Sequence, residues 1–478
     1  MVIAQGQMTA NDSAACAQIQ RTISTQSSAS FPGQAQYIQD QMHYYNSSSQ
    51  PAVCTVEPGS PEDVSRIIQI VAQHRTPFAV KGGGHATNPN FSSTSGVLVS
   101  MSRFNTVQYH ASNQTADIGT GMVWDAVYTA LEPFNVTVLG GRVPGIGVAG
   151  LTLGGGYSWL TNQHGLVLDT VVAFEVVLPS GERVTANAES EPDLFFALKG
   201  GYNNFGIVTQ MTFRTFPIAN VWGGNRLATS AHFPAAVAAI NNYVASVTDP
   251  RAAMIISFVG IPGALFVSMD LFYDGPAPPP GIFDEFLAIP AETDDIGVSS
   301  YAAFVGAQQA ANAAGPGTRG LYDTATIAKP TPPIIDAIVN ETTFRSEQLA
   351  STSAVVLSYS IEVFLPDILA HAPEGSSAYP PTRRTPYFPL SINVEYTALA
   401  DDPFMAGVMA STATQLGRVA ETQEQQVVSV PVYGNYATTR SFNSERTFGA
   451  SLPRLRAIKA THDPFDVMGL AGGWKVLS

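Results

Sequence analysis

Residues 140–166 read GGRVPGIGVAGLTLGGGYSWLTNQHGL, and residues 76–86, upstream, read TPFAVKGGGHA. Gly119 and Gly121 fall between them. Glycine has no Cβ, so backbone N–H groups in such runs can approach a ligand closely and adopt φ > 0. Amide-lined loops of this kind cradle a pyrophosphate even where no Lys or Arg is at hand. GIGVAG (145–150) has the G-x-G-x-x-G spacing, yet it leads into another glycine run rather than a helix. No acidic residue closes a βαβ unit about 20 residues on, so the dinucleotide fingerprint fails. No G-x-x-x-x-G-K-[ST] exists, which excludes a Walker A loop. Loop-rich packing explains any one run as well as a ligand does, but three runs within 75 residues argue for a ligand.

Outward from these runs, VEPGSPEDVSRIIQIVAQHRTPFAVKGGG (56–84) reads as strand end, turn, amphipathic helix, strand and glycine loop. Ser60 suits an N-cap, Pro61 the first helical position, and Ile67, Ile68, Ile70 and Val71 an apolar face. Over 97–185, VLVSM, TVQYH, TADIGT, TVLGG, VVAFEVVL and ERVTA read as short strands, with a helix at WDAVYTALEPF. After Pro217, long strands such as MIISFVG, ALFVSMDLFYDG, AVVLSYSIEVF and YFPLSINVEY alternate with Ala-rich helices. That texture predicts an antiparallel sheet with helices on one face. The fold class expected is α+β. The expected division is a polar helical arm over 1–50, a loop-rich unit over 51–217, the sheet-and-helix unit over 218–427, and a tail over 428–478 that returns to the first unit.

The 478 residues are 45% hydrophobic, enough to bury a substantial core, and only 13% charged, against roughly 25% in typical globular chains. A net charge of −14 without a basic stripe is repelled by phosphate backbones and anionic lipid, which argues against nucleic-acid and membrane-surface roles. No run approaches the roughly 20 apolar residues that span a bilayer. The start, MVIAQGQMTANDS, has neither a charged n-region nor a long apolar h-region. The two cysteines, Cys16 and Cys54, suit a local disulfide in an oxidising compartment, with buried thiols as the alternative. Sequons stand at Asn11, Asn46, Asn90, Asn113, Asn135 and Asn340. Together these favour a secreted protein whose signal has been removed over an intracellular one.

TPFAVKGGGHA, VLVSMSRFNTV, the 140–166 stretch, LDTVVAFEVVLPSGERV and PDLFFALKGGYNNFGIVT follow one another in an order that resembles the vanillyl-alcohol-oxidase superfamily. Within it they resemble most the berberine-bridge-enzyme-like FAD-linked oxidases. The resemblance runs over roughly 50–216 and resumes at 433–469. It implies a two-lobed FAD-binding unit, with a substrate unit covering the flavin, and a covalent bond from His85 to FAD. Many members carry a second link from a cysteine in GxCPxVGxxG; here that segment reads GRVPGIGVAG, with Val143 in the cysteine's place. A single attachment is expected, and with it a flatter, less electron-poor flavin. By the same matching, flavin contacts fall on Lys81, Gly82, Gly83, Gly84, His85, Ala86, Ser102, Gly119, Thr120, Gly121, Gly145, Ile146, Gly147, Val148, Ala149, Gly150, Gly154, Gly155, Gly156, Gly165, Leu166, Asp169, Gly206 and Val208. VYGNYATTR (432–440) matches the family's NYxD strand, which places Asn435 and Tyr436 over the flavin; Thr438 departs from the Asp.

Tyr436 is the candidate base for the substrate O–H proton, and its usual pKa near 10 demands a nearby cation or a relay. A strand tyrosine with a bonded hydroxyl is the plain alternative. Tyr433 shares its segment, and Glu362 and Glu395 are the alternative bases. The expected reaction is hydride transfer from a small-molecule alcohol, amine, phenol or sugar to FAD, with O2 as acceptor giving H2O2. A dehydrogenase using quinone-like acceptors and an idle flavin-binding protein are the alternatives. Tyr301, Tyr322, Tyr359, Tyr379, Tyr387 and Phe388 lean toward a compact apolar pocket. His110, His164, His371 and His462 lack H-x-H or H-E-x-x-H partners, so no metal is expected. No G-x-S-x-G elbow points to a hydrolase. A monomer is expected.

Overall fold

The computed structural model describes residues 10–308, 318–385 and 387–477. Its first sheet is built around Val97–Ser100, flanked in parallel by Cys54–Glu57 and Phe78–Lys81. The helix Pro61–His74 covers it. Ser60 Oγ accepts from Asp63 N at 3.3 Å, and Ile67, Ile68, Ile70 and Val71 are buried. Each such side chain contributes roughly 1.5–3 kcal/mol on leaving water. Parallel strands send their loops to one end, so Gly82, Gly83 and Gly84 emerge at the carboxyl end of the strand Phe78–Lys81, where α/β sheets bind ligands.

The stretch expected as a separate polar arm is instead part of this unit; its first nine residues lie outside the described ones. Ser28–Ser30 adds an antiparallel edge strand to Cys54–Glu57. The helix Ala10–Thr22 buries Ala15, Cys16 and Ile19 in the core of the helix Pro61–His74. Cys16 and Cys54 are joined, closing a loop of 38 residues.

A second sheet is antiparallel, in the order Val107–His110, Thr115–Gly119, Ile207–Arg214, Val171–Val177, Arg183–Asn187. GIGVAG does open a helix, contrary to the sequence expectation: Val148–Leu153 is helical for six residues before Gly154 ends it. Among the described residues the third sheet has eight antiparallel strands, with Ala264–Tyr273, Ala252–Ile261, Ala354–Val363 and Phe388–Tyr396 adjacent at its centre. Its two faces differ by the period of two that strands impose. Met254, Ile256, Phe258, Leu357, Tyr359, Ile361, Leu390, Ile392 and Val394 share a core with the helices Phe233–Ser246, Pro332–Leu349 and Asp402–Thr422. The opposite face carries a row of hydroxyls, Ser268, Ser257, Ser360, Ser391 and Thr324, each directly across from the next. One row on stand Asn225, Asp270, Ile255 and Glu362.

The tail helix Leu452–His462 buries Leu452, Leu455 and Ile458 in the core that holds Leu194, Phe196 and Ala197. Asn204 Nδ2 anchors the following residues by donating to Trp474 O at 2.9 Å. Among the described residues no helix is long and apolar enough to cross a membrane.

Candidate active site

A cleft opens between the glycine loops, the polar face of the large sheet and the segment around 433–436. Of the sequence candidates, Gly82, Gly83, Gly84, His85, Ala86, Thr120, Ile146, Gly147, Ala149, Gly150, Gly206 and Val208 line it, together with Glu362, Tyr433, Asn435 and Tyr436. The two glycine runs meet backbone to backbone: a Cβ on Gly147 would lie 2.6 Å from Gly83 N, and one on Gly83 2.6 Å from Gly147 N. Real Cβ atoms do not approach backbone so closely. The crossing therefore requires glycine on both loops.

His85 follows that crossing. Its ring stacks on Tyr44, centroids 4.2 Å apart at 20°, and its buried Nε2 has no hydrogen-bond partner among the described residues. Burial pushes its pKa down to about 4, so the imidazole is neutral at physiological pH. Buried polar atoms are nearly always satisfied. A neutral imidazole left short of a partner in a glycine-lined cleft fits a residue completed by a bound group, and a flavin dinucleotide suits both features.

Tyr436 lies across the cleft. Its hydroxyl donates to Glu362 Oε1 at 2.8 Å and accepts from Arg142 Nη2 at 2.8 Å. The same Nη2 stands 2.8 Å from Glu362 Oε2 as an ion pair, outside hydrogen-bond alignment. Arg142 and Glu362 are both buried, with side chains 9% and 2% exposed. Burial pushes the Tyr436 phenol well above its usual range; Glu362 adds to the shift and Arg142 opposes it. Glu362 raises the Arg142 guanidinium above its ordinary value despite burial, so the cation persists at any working pH. Tyr433 packs edge-on against Tyr436 at 5.0 Å, takes a bond from Asn435 Nδ2 at 3.0 Å, and is itself pushed up to about 12 by burial.

The segment holding Tyr433 and Tyr436 is a turn and not the strand expected: Tyr436 N donates to Tyr433 O at 3.1 Å. Gly434 explains the bend, since a Cβ there would run into the Tyr202 hydroxyl. Other candidates sit behind the lining, where the fold itself occupies them. Lys81 Nζ donates to Met42 O and Ser102 Oγ to Glu57 Oε1. The backbone N–H groups of Gly119, Gly121, Gly145 and Val148 donate to Thr106, Phe104, Asp125 and Met122. Gly154 abuts Asn435, and the carbonyls of Gly155 and Gly156 accept from Leu168 and Val167. Gly165 faces His371 and Asp169, and Leu166 N donates to Asp169. Asp169 forms a buried pair with Arg383, Nη2 to Oδ1 at 2.5 Å. Glu395 accepts from Tyr45 OH at 2.7 Å, away from Tyr436. Of the six aromatics taken to line an apolar pocket, only Tyr322 lines the cleft, stacked on Tyr436 at 6.0 Å. The other five are core residues, and the sheet face there is polar.

Sequence reasoning missed Arg142 and Asp270. Arg142 had a signal: it is the one Asp, Glu, Lys or Arg in 140–166, set among glycines with no local partner. Asp270 had none beyond polar alternation in its strand.

The chain matches the FAD binding domain family over residues 52–187. An FAD-linked oxidoreductase from Arthroderma benhamiae is 38% identical over 275 residues, covering 56% of this chain and 55% of that one. An FAD-dependent monooxygenase, yanF, from Aspergillus niger is 44% identical over 195 residues, covering 40% and 34%. The chain thus spans about half, or less, of the length of the curated relatives it matches. Glucooligosaccharide oxidase from Acremonium strictum, a protein with 6-S-cysteinyl, 8α-N1-histidyl FAD, superposes with a TM-score of 0.75 at 20% identity, covering 95% of this chain and 97% of that one. Residues 52–187 therefore match the FAD binding domain family, and the chain as a whole shares the fold of this oxidase.

Proposed function

We propose that this protein is an FAD-dependent oxidoreductase that holds FAD covalently through His85 alone and oxidises a small molecule at a C–H beside an oxygen or nitrogen. The observation that carries the reading is the Tyr436 hydroxyl, clamped between Glu362 and Arg142 in the glycine-lined cleft. Bound FAD would supply the two-electron acceptor, with O2 as the terminal oxidant giving H2O2. The residues handle the proton. A tyrosinate at position 436 is disfavoured by burial and by Glu362, so Tyr436 acts as a relay. It receives the substrate O–H proton at its oxygen as its own proton passes to Glu362 Oε1, 2.8 Å away. Arg142 offsets the charge of the carboxylate and fixes the phenol by its own bond at 2.8 Å. The lining loops that cross at Gly83 and Gly147 would hold the pyrophosphate. Val143 stands where a second link would arise, and the chain's only two cysteines are joined to each other.

Secretion as a glycosylated, disulfide-bonded monomer accompanies this reading: all six sequon asparagines are exposed. The test is anaerobic. Substrates of the alcohol, amine, phenol and sugar classes should include one that bleaches the yellow protein, with colour returning within seconds in air. Recovery over minutes would assign a quinone-like acceptor, and no bleaching by any class would leave an idle flavin carrier.

A further inference from the structure

The sheet face turned to the cleft carries one carboxylate that this chemistry leaves unused. Asp270 lies on the strand Ala264–Tyr273, 6% exposed, in the same row as Glu362 with Ile255 between them. Two strand spacings separate the rows' carboxylates, about 10 Å. These are the only two Asp or Glu side chains among the described cleft-lining residues, and they are treated differently. Glu362 is engaged by Tyr436 and Arg142. Asp270 receives one bond, from Asn225 Nδ2 to Oδ1 at 2.6 Å. Among the described residues its Oδ2 takes none and no cation pairs with it. A buried carboxylate with one oxygen unmet and no cation beside it is costly unless something arrives to meet it. Burial pushes its pKa up to about 7; the Asn225 amide opposes the shift, Asp295 adds to it and Arg142 opposes it.

We propose that Asp270 is the specificity-determining residue of the cleft, receiving a hydrogen-bond donor, an ammonium or a hydroxyl, at the end of the substrate remote from the reacting C–H. Ile255 and the hydroxyls of Ser257, Ser360 and Ser391 floor the span between the two ends. The inference rests on the reading of Tyr436 and Glu362 as the reacting end. A substrate that fits is rod-like, about as long as a para-disubstituted ring with a one-carbon arm on each side.

The test uses the holoenzyme and three such probes that differ only at the far end: 4-(aminomethyl)benzyl alcohol, 1,4-benzenedimethanol and 4-methylbenzyl alcohol. Trp159 and Trp474 line the cleft, so their emission reports binding whether or not the flavin is reduced. The ammonium probe should bind at least tenfold tighter than the methyl probe if ammonium is the preferred donor; the diol should take that place if hydroxyl is. Asp270→Asn should erase an ammonium advantage, so that the ammonium and methyl probes bind alike. In the unaltered protein the same advantage should shrink as the pH falls below about 7, because Asp270 then carries a proton; this arm needs no variant. Equal affinity for all three, an advantage that survives Asp270→Asn, or no change in emission with any probe overturns the proposal. A clear preference without bleaching by any substrate sinks the redox reading instead, and keeps Asp270 only as a recognition residue of the cleft.

Discussion

Tyr436 offers the sharpest residue-scale prediction. Tyr436→Phe removes the relay and leaves Arg142 facing Glu362 directly, so folding and flavin content should hold. The anaerobic flavin-reduction rate should fall about 10²–10⁴-fold, the usual worth of a positioned proton acceptor. Because burial and Glu362 keep the phenol protonated, the rate in the parent protein should not climb as the pH approaches 10; a rise there would make Tyr436 itself the ionised base. The place of His85 in the cleft was legible through the family motif around it, since a histidine after three glycines alone reads as a surface loop residue. The Tyr436, Glu362 and Arg142 cluster was only half legible, because positions 142, 362 and 436 meet through strand register and loop path rather than through spacing. Asp169 shows the opposite case. It stands in a matched motif, yet Arg383, 214 residues away, takes its carboxylate.

At the scale of elements, the glycine runs and the large sheet define the cleft from two sides. The runs announced themselves through composition, but the short helix Val148–Leu153 did not, since six residues between glycines show no amphipathic period. The crossing of Gly83 and Gly147 yields a prediction of its own. Gly147→Ala forces two backbones apart and should cost about 1–3 kcal/mol in denaturant unfolding. It should also lower the flavin bound per folded chain several-fold by absorbance; full flavin content would mean the crossing plays no part in holding it. The strands of the large sheet were legible from alternation, whereas their register, which lines up Ser268, Ser257, Ser360, Ser391 and Thr324, was not. VYGNYATTR is expected to be a strand only through its resemblance to the family's NYxD segment; here it is a turn, with Gly434 packed against Tyr202.

Across the whole molecule, the cleft is assembled from chain segments hundreds of residues apart, and the N-terminal stretch helps to fasten them. Tyr45 bonds to Glu395 on the large sheet, while Cys16 ties the first helix to the first sheet. That stretch reads as a polar arm because its few apolar residues are spread thinly and find their partners only in the folded whole. Closing a 38-residue loop limits the unfolded chain, so Cys16→Ser with Cys54→Ser should lower unfolding free energy by up to about 4 kcal/mol. Unchanged denaturation midpoints would show that the bond does not form in the isolated protein. The account as a whole depends on the imidazole at the head of the cleft. Acid precipitation of the purified protein, followed by mass spectrometry of the peptide containing residues 81–86, addresses that directly. The prediction is a yellow pellet with one FAD on His85, and a colourless pellet with free FAD in the supernatant for His85→Ala. Release of all flavin from the unaltered protein would contradict the covalent bond, and a preparation that never contains flavin would contradict the function.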